Sequence, residues 1–357
     1  MELLAGIDLH SDNGYLGIAD MQGKRVYDKK LPNKLPEVLS ALGPYRDRLK
    51  GVVIESTYNW YWLVDGLMDH GYPVILANPA GMEPYSGLKN VNDKSSAFYL
   101  IELLRLGILP VGYIYPKKER PIRDLLRRRM LLVQQTTCHI LSFQSLLSRQ
   151  TGSGMDANTI KKLKEEEVKT LIDEEGVVLA GQANIGLIRY LTQRIRKMES
   201  LVLKKVKLRP QYVKLLTVPG IGKILGLTIM LETGDIKRFA GVGNFSSYCR
   251  CVKADWTSNG KKKGEGNRKN GNKYLAWAFV EAANFARRYC PEAKAYYQRK
   301  KVRTHPVVAT KALANKLCKA CYFILKNQEE FQVEKIFGPK KGCGGEPVLG
   351  LVKSLQT

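Results

Sequence analysis

A chain of 357 residues with 58 Lys and Arg against 33 Asp and Glu carries a formal charge of +25 and a pI near 9.7. That length allows two domains or more, and such an excess of cation takes nucleic acid as its commonest partner, ribosomal and membrane-surface roles being the other bearers of that charge. No uninterrupted apolar run reaches transmembrane length, Met1 leads into a strand-like segment instead of a signal peptide, and seven cysteines without framework spacing point to a reducing cytosol.

In chain order, residues 3–10 (LLAGIDLH) and 14–21 (GYLGIADM) read as two strands joined by the turn Ser11-Asp12-Asn13-Gly14, with Lys24 to Leu31 a candidate third. A helical pattern runs from Leu35 to about Leu49. Two short apolar strands come next, Gly51–Thr57 and Pro73–Pro79, with a helix between them, and a further helix begins near Asp93 and ends at Gly107. The order βββαβαβα fits a mixed-sheet, ribonuclease-H-like domain over residues 1–116.

Three carboxylates stand out there. Asp8 lies inside an apolar strand, Glu55 ends another, and Asp93 opens a helix. An acid among strand apolars is costly to bury unless it is paired or binds a cation, and Mg²⁺ takes oxygen ligands. Each acid alone has a plainer reading, Asp93 as an N-cap and Glu55 as an edge charge.

Residues 117–206 read as coiled-coil helices. Leu126, Val133, Ile140 and Leu147 recur every seven residues, and Ile188, Leu191, Ile195, Met198 and Val202 recur at alternating three and four. The polar stretch Thr151–Glu175 between them makes a helical hairpin. Arg123, Arg127, Arg128 and Arg129 are either solvated charges or nucleic-acid contacts.

The segment 215–232 (LLTVPGIGKILGLTIMLE) places Pro219-Gly220-Ile221-Gly222 as a tight turn between two helices. This is a helix-hairpin-helix-like element, in which the amides around Gly220, Gly222 and Lys223 can face a phosphate. From Trp256 a loop dense in Gly, Asn, Lys and Arg extends until an apolar helix begins at about Lys273. With little apolar surface to bury, its cations Lys261, Lys262, Lys263, Arg268, Lys269 and Lys273 and the hydroxyl of Ser258 at its mouth suit a phosphate backbone, against the reading of a solvated basic linker. Cys318 and Cys321 form a Cys-x-x-Cys in a helical pattern with no second pair beside them, which favours core packing over zinc. Residues 207–328 form a mostly helical domain, and 329–357 a Gly-, Pro- and Lys-rich tail.

The strings GIDLH, EST, DKSSAFYLIELLRLGILP, RDLLRRR, VPGIG and SNGKKKGEGNRKNGN together resemble the transposases of the IS one-ten family of insertion sequences, eleven-eleven branch, over nearly the whole chain to about Lys326. The resemblance implies α/β plus α architecture: a RuvC-like DEDD domain, a coiled coil and a transposase domain whose catalytic serine lies in a Ser-x-Gly segment. It also implies recombination guided by a structured bridge RNA that pairs with donor and target DNA, in a cytoplasmic, nucleoid-associated prokaryotic protein. The matching positions are Asp8, Glu55 and Asp93 for three metal-binding acids and Ser258 for the nucleophile. The fourth acid belongs three residues after Asp93, where this chain has Ser96.

A serine hydroxyl needs a base or metal to activate it, and attack on a phosphodiester builds charge that Lys, Arg or Mg²⁺ must offset. The apolar seams and the charge imply a homodimer or homotetramer with RNA bound. The alternatives are a RuvC-like metal-dependent nuclease acting on branched DNA with water as nucleophile, and a non-catalytic nucleic-acid-binding protein.

Overall fold

The computed structural model describes residues 1–88, 93–206, 209–252, 255–265 and 270–338. The chain divides into two compact units, Met1–Pro121 and the greater part of the chain from Ile122 onward.

The first unit opens with β1 (Leu3–Leu9), β2 (Asn13–Asp20) and β3 (Arg25–Pro32), an antiparallel meander. Helix α1 (Leu35–Leu42) comes next, then β4 (Leu49–Glu55), α2 (Tyr61–Asp69), β5 (Val74–Ala77), the short α3 (Pro79–Met82) and α4 (Asp93–Arg105). The helix expected from Leu35 to Leu49 is shorter. Gly43-Pro44 turns the chain into a 3₁₀ segment over Gly43–Arg48, because proline cannot donate within a helix and restricts the residue before it.

The sheet order is β3-β2-β1-β4-β5, with β4 parallel to both β1 and β5. Strand β1 is therefore central, and every one of its residues is buried, which explains its nearly continuous apolar run. On one face Ile7, Leu16, Ile18 and Ile54 pack with Leu42, Leu63 and Leu67 of α1 and α2. On the other, Leu4 and Ala19 meet Phe98 and Ile101, and Val53 meets Tyr99, Leu100 and Leu103, all from α4. A Cβ at Gly6 would stand 2.3 Å from the Ala97 carbonyl oxygen, so glycine lets α4 lie directly on β1.

The unit closes with a buried anchor. Arg120 donates from Nη1 to both carboxylate oxygens of Asp65 at 2.8 and 2.9 Å and from Nε to the Tyr115 carbonyl at 2.6 Å. Its guanidinium lies over the rings of Trp60 and Tyr61.

The second unit begins along α5 (Arg120–Thr151), which returns through α6 (Ala157–Ile160) and a 3₁₀ turn at Glu165–Thr170 into α7 (Glu175–Lys205). The two long helices run antiparallel, joined by Arg129 to Glu199 and by His139 Nδ1 and Asn184 Oδ1 at 3.1 Å. Ile140, Phe143 and Leu147 pack against Ile185 and Ile188, as their spacing implies, with Ile160 and Val168 of the connection filling the end.

Helices α8 (Pro210–Leu215), α9 (Lys223–Thr233), α10 (Val242–Tyr248), α11 (Lys273–Tyr289), α12 (Pro291–Lys301) and α13 (Pro306–Asn327) surround a single core. Between α10 and α11 lie the strands β6 (Asp255–Ser258) and β7 (Lys261–Glu265). The segment read as a tail begins with structure: Phe331 N donates to Thr217 Oγ1 at 2.9 Å, and α14 (Val333–Phe337) sets Phe337 against Tyr296.

Cys318 and Cys321 are buried in α13, and a second pair does meet them. Cys318 exchanges thiol hydrogen bonds with Cys249 and Cys251, and burial pushes the Cys249, Cys318 and Cys321 thiols up. Protonated thiols held in an apolar core act as packing groups. No helix among the described residues is long and apolar enough to cross a membrane.

Candidate catalytic and nucleic-acid-binding residues

Parallel pairing brings two of the three acids together in the first unit. Ile7 stands beside Ile54, so Asp8 and Glu55 are neighbours at the carboxyl ends of β1 and β4. Side chains alternate along a strand. Gly6 and Val53 both face α4, and Asp8 and Glu55 therefore face it too. Glu55 is close enough to Tyr99 to add to the upward shift that burial gives that phenol.

Asp8 is only 7% exposed, with His10 Nε2 at 3.5 Å from its Oδ2. Helix α4 runs antiparallel to β1, so its first turn projects past the end of the sheet where the acids stand. Ser96, also 7% exposed, lies in that turn immediately before the Ala97 contact. Asp93 opens α4, and its side chain lies outside the described residues.

The first turn of α4 is tied to the sheet. Lys94 Nζ lies 2.7 Å from Asp28 Oδ2, and Tyr15, the cross-strand neighbour of Asp8, donates to Asp28 Oδ1 at 2.6 Å. The Lys94 and Tyr15 hydrogen bonds hold the Asp28 carboxyl below its usual range, and the Asp28 bond pushes the Tyr15 phenol up to about 12.

Among the described residues, no three His, Cys, Asp or Glu side chains converge as a ready metal-binding group. Asp8 and Glu55 nonetheless fit a hard divalent cation by chemistry. They are two carboxylates side by side, one deeply buried, with a buried hydroxyl in the helical turn they face, and oxygen donors are what Mg²⁺ selects.

In the second unit Ser258 ends β6, where Asn259 and Gly260 turn the chain with φ of 50° and 70° into Lys261 of β7. Two left-handed residues in an Asn-Gly pair make the tight hairpin turn that matches strand twist. Reading this stretch as a loop missed the hairpin, although Asn259-Gly260 is its sequence signal. Ser258, Lys261 and Lys263 are all exposed at this end of the hairpin. The Lys262 side chain and residues Arg268 and Lys269 lie outside the described residues, while Lys273 is exposed at the start of α11.

The Val218–Gly222 turn joins α8 to α9. Gly220 has φ of 85°, and a Cβ there would stand 2.2 Å from the Ala282 carbonyl and 2.6 Å from the Ala286 amide nitrogen. The alanines of α11 thus give the turn its seat, a packing demand beside any role toward phosphate. Gly222 is the N-cap of α9 and supplies no capping side chain; it and Lys223 are exposed. Both line a groove of about 1210 Å³ whose other wall carries Trp277, Phe285 and Tyr289 of α11.

Beside α5, Glu232 is 1% exposed and accepts from Arg127 Nε and Nη2 at 2.5 and 2.7 Å and from Asn272 Nδ2 at 2.7 Å. Asn272 in turn caps α11 by accepting from the amides of Tyr274 and Leu275. Nothing in the spacing of these residues announced the network.

Comparison with known proteins finds the same class at both ends of the chain. A DEDD-type transposase model of the IS110 group matches residues 5–151, and the model described as the Transposase IS116/IS110/IS902 family matches residues 213–298. Both matched regions are thus similar to transposases of the IS110/IS116 group of insertion sequences.

Two relatives align over nearly their full length. The transposase for insertion sequence element IS1111A of Coxiella burnetii is 23% identical over 346 residues, 92% of this chain and 91% of the relative. The transposase for insertion sequence element IS1328 of Yersinia enterocolitica is 23% identical over 340 residues, 90% of this chain and 96% of the relative.

Proposed function

We propose that this chain is an RNA-guided DNA recombinase of an insertion sequence, which cuts and rejoins strands through a covalent phosphoserine at Ser258. One observation carries the reading furthest. The fold brings Asp8 and Glu55, distant in sequence, side by side at strand ends facing the first turn of α4. Asp8 and Glu55 would hold Mg²⁺, with Asp93 as the third ligand and Ser96 where the family pattern has a fourth acid. Bound there, the ion supplies Lewis-acid charge for phosphodiester chemistry.

The chain's own residues do the rest. Ser258, exposed beside the Asn259-Gly260 turn, can present its Oγ to a phosphate. Attack by Oγ forms a serine–phosphorus bond, breaks the bond from phosphorus to one sugar oxygen and releases the hydroxyl proton. The sugar leaves as an alcohol. The phosphodiester count is conserved, so the reverse attack by another strand's hydroxyl reseals the DNA without ATP. Lys261 and Lys263 beside the turn offset the charge of the phosphate.

The +25 charge suits both DNA and a structured bridge RNA. A homodimer or homotetramer built on α5 and α7 is supported by Leu179, Leu187, Tyr190 and Leu201, which are exposed on one face of α7.

The test is trapping of a protein–DNA adduct on a donor substrate with bridge RNA and Mg²⁺. Ser258→Ala should abolish the adduct and recombination while changing nucleic-acid affinity less than about twofold, since a neutral hydroxyl contributes little to phosphate binding. Recombination at wild-type level by Ser258→Ala would overturn the assignment.

A further inference from the structure

Between α5 and the start of α11 lies a cleft of about 330 Å³ lined by Asp124, Arg127, Arg128, Gln134, Lys273 and Tyr274, among others. Its cations are not equivalent. Arg127 is fixed: its Nε and Nη2 are engaged by the buried Glu232, and its guanidinium lies 4.4 Å from the centre of the Tyr274 ring. Arg128 is exposed, and Lys273 is exposed with its ammonium 5.3 Å from the same ring.

A buried carboxylate is costly to desolvate unless it is well paired. Here it is paired to an arginine that is itself only part-buried, 30% exposed on the cleft wall. The buried acid and the aromatic ring together hold that wall rigid. With Arg127 largely compensated by Glu232, Arg128 and Lys273 outweigh Asp124, and the cleft keeps a net positive charge.

The end of α11 is not itself the donor, because Asn272 already takes the amides of Tyr274 and Leu275. The recognition groups are therefore side chains: a planar arginine fork and a lysine on opposite walls, with Gln134 as a neutral donor. That set matches one tetrahedral oxyanion carried on a chain passing through an open cleft.

We propose that this cleft seats one backbone phosphate of DNA, held by Arg128 and Lys273, with Arg127 fixed by Glu232 as a positioning residue. The proposal rests on the reading of the chain as a DNA-acting protein and adds a specific contact to it. Lys273 opens α11 eight residues after the end of the hairpin that carries Ser258, so the cleft and that hairpin lie close along the chain.

The experiment measures binding of the full-length chain to two unrelated fluorescent DNA duplexes, and separately to a structured RNA, by anisotropy across a salt series. Arg128→Gln and Lys273→Gln should each weaken both duplexes equally, by about tenfold. Their double variant should lower the log–log salt slope by about 0.9, the value for one phosphate contact. Arg128→Lys, which keeps the charge and loses the planar fork, should recover only part of the Arg128→Gln loss. Lys162→Gln, which removes an equal charge from an exposed site elsewhere in the same unit, should change affinity less than about twofold.

Equal losses for Lys162→Gln and Arg128→Gln would overturn the proposal, since bulk charge would explain both. Losses confined to RNA would overturn the DNA assignment, and unchanged affinity and slope would overturn the site. None of these readouts uses Ser258, so failure of the phosphoserine chemistry would leave the binding result standing, and failure here would leave that chemistry untouched.

Discussion

At the scale of single residues, the glycines of the Val218–Gly222 turn separate packing from binding. Gly220 has a left-handed φ and no room for a Cβ, while Gly222 has an extended conformation and nothing within 4 Å of its would-be Cβ. Gly220→Ala should therefore destabilise the second unit by more than the about 1–2 kcal/mol of a left-handed alanine, because the Ala282 and Ala286 backbone must also shift. Gly222→Ala, which meets no neighbouring atom and loses only the N-cap preference for glycine over alanine, should cost about 0.5–1 kcal/mol. Thermal melting separates them, at about 2–4 °C per kcal/mol for a unit of this size. Equal shifts would refute the packing account. The sequence suggested both glycines through one motif, Pro-Gly-x-Gly, and could not divide their roles, because the division depends on which atoms of α11 lie beneath each. The acids were more legible. Asp8 and Glu55 stood out as charges in apolar strands, and parallel register then brings them together. Glu232, only 1% exposed, sits near the end of a mostly apolar helix, and nothing in spacing marks Arg127 or Asn272 as its partners.

Among the elements, α4 carries the most consequence for the acid-bearing end of the sheet, and its first turn is held by the Tyr15–Asp28–Lys94 link. Asp28 has a lowered pKa in the folded chain, so its stabilisation is fully present above the unfolded value of 3.8 and is lost as pH falls through the lower native value. Tyr15 is the opposite case. Its neutral form is favoured up to about 12, so its contribution holds below the unfolded value of 10.0 and is lost as pH rises through about 12. Asp28→Asn should cost about 1.5–3 kcal/mol at pH 7, the range for hydrogen bonds to a charged group. In urea unfolding the gap between variant and wild type should narrow below pH 3.8, and a gap that stays constant to pH 2 would show that Asp28 is not the titrating group. Sequence patterns marked the long helices well, because seven-residue seams persist over many turns. They marked the β6–β7 hairpin poorly, because its strands are short and cationic and its only apolar cue is Trp256. The meeting of Cys249 and Cys251 with Cys318 was invisible for a different reason: contacts between residues so distant in sequence leave no local pattern.

At the scale of the whole molecule, composition indicated the partner class and chain order indicated the sheet, while the change of pattern and the edge of the compact first unit fall a few residues apart. The change from strand to long-helix periodicity suggested a boundary at residue 116. The compact first unit runs instead to Pro121, and the Arg120 anchor gives the physical reason. Arg120 opens α5 by sequence, yet its partners Asp65, Trp60, Tyr61 and Tyr115 all belong to the sheet-bearing unit. A fragment cut after Pro116 would keep Asp65 and lose its only bidentate cation among the described residues. Stranding one member of a buried pair typically costs about 3–5 kcal/mol, a large share of what a domain of this size has to spare. The two fragments Met1–Pro116 and Met1–Pro121 should thus differ sharply in melting temperature, and equal melting would refute the anchor. Anyone dissecting this chain to study its acid-bearing unit in isolation should place the scissors five residues later than periodicity suggests, because the residue that closes that unit is written into the first turn of the next helix.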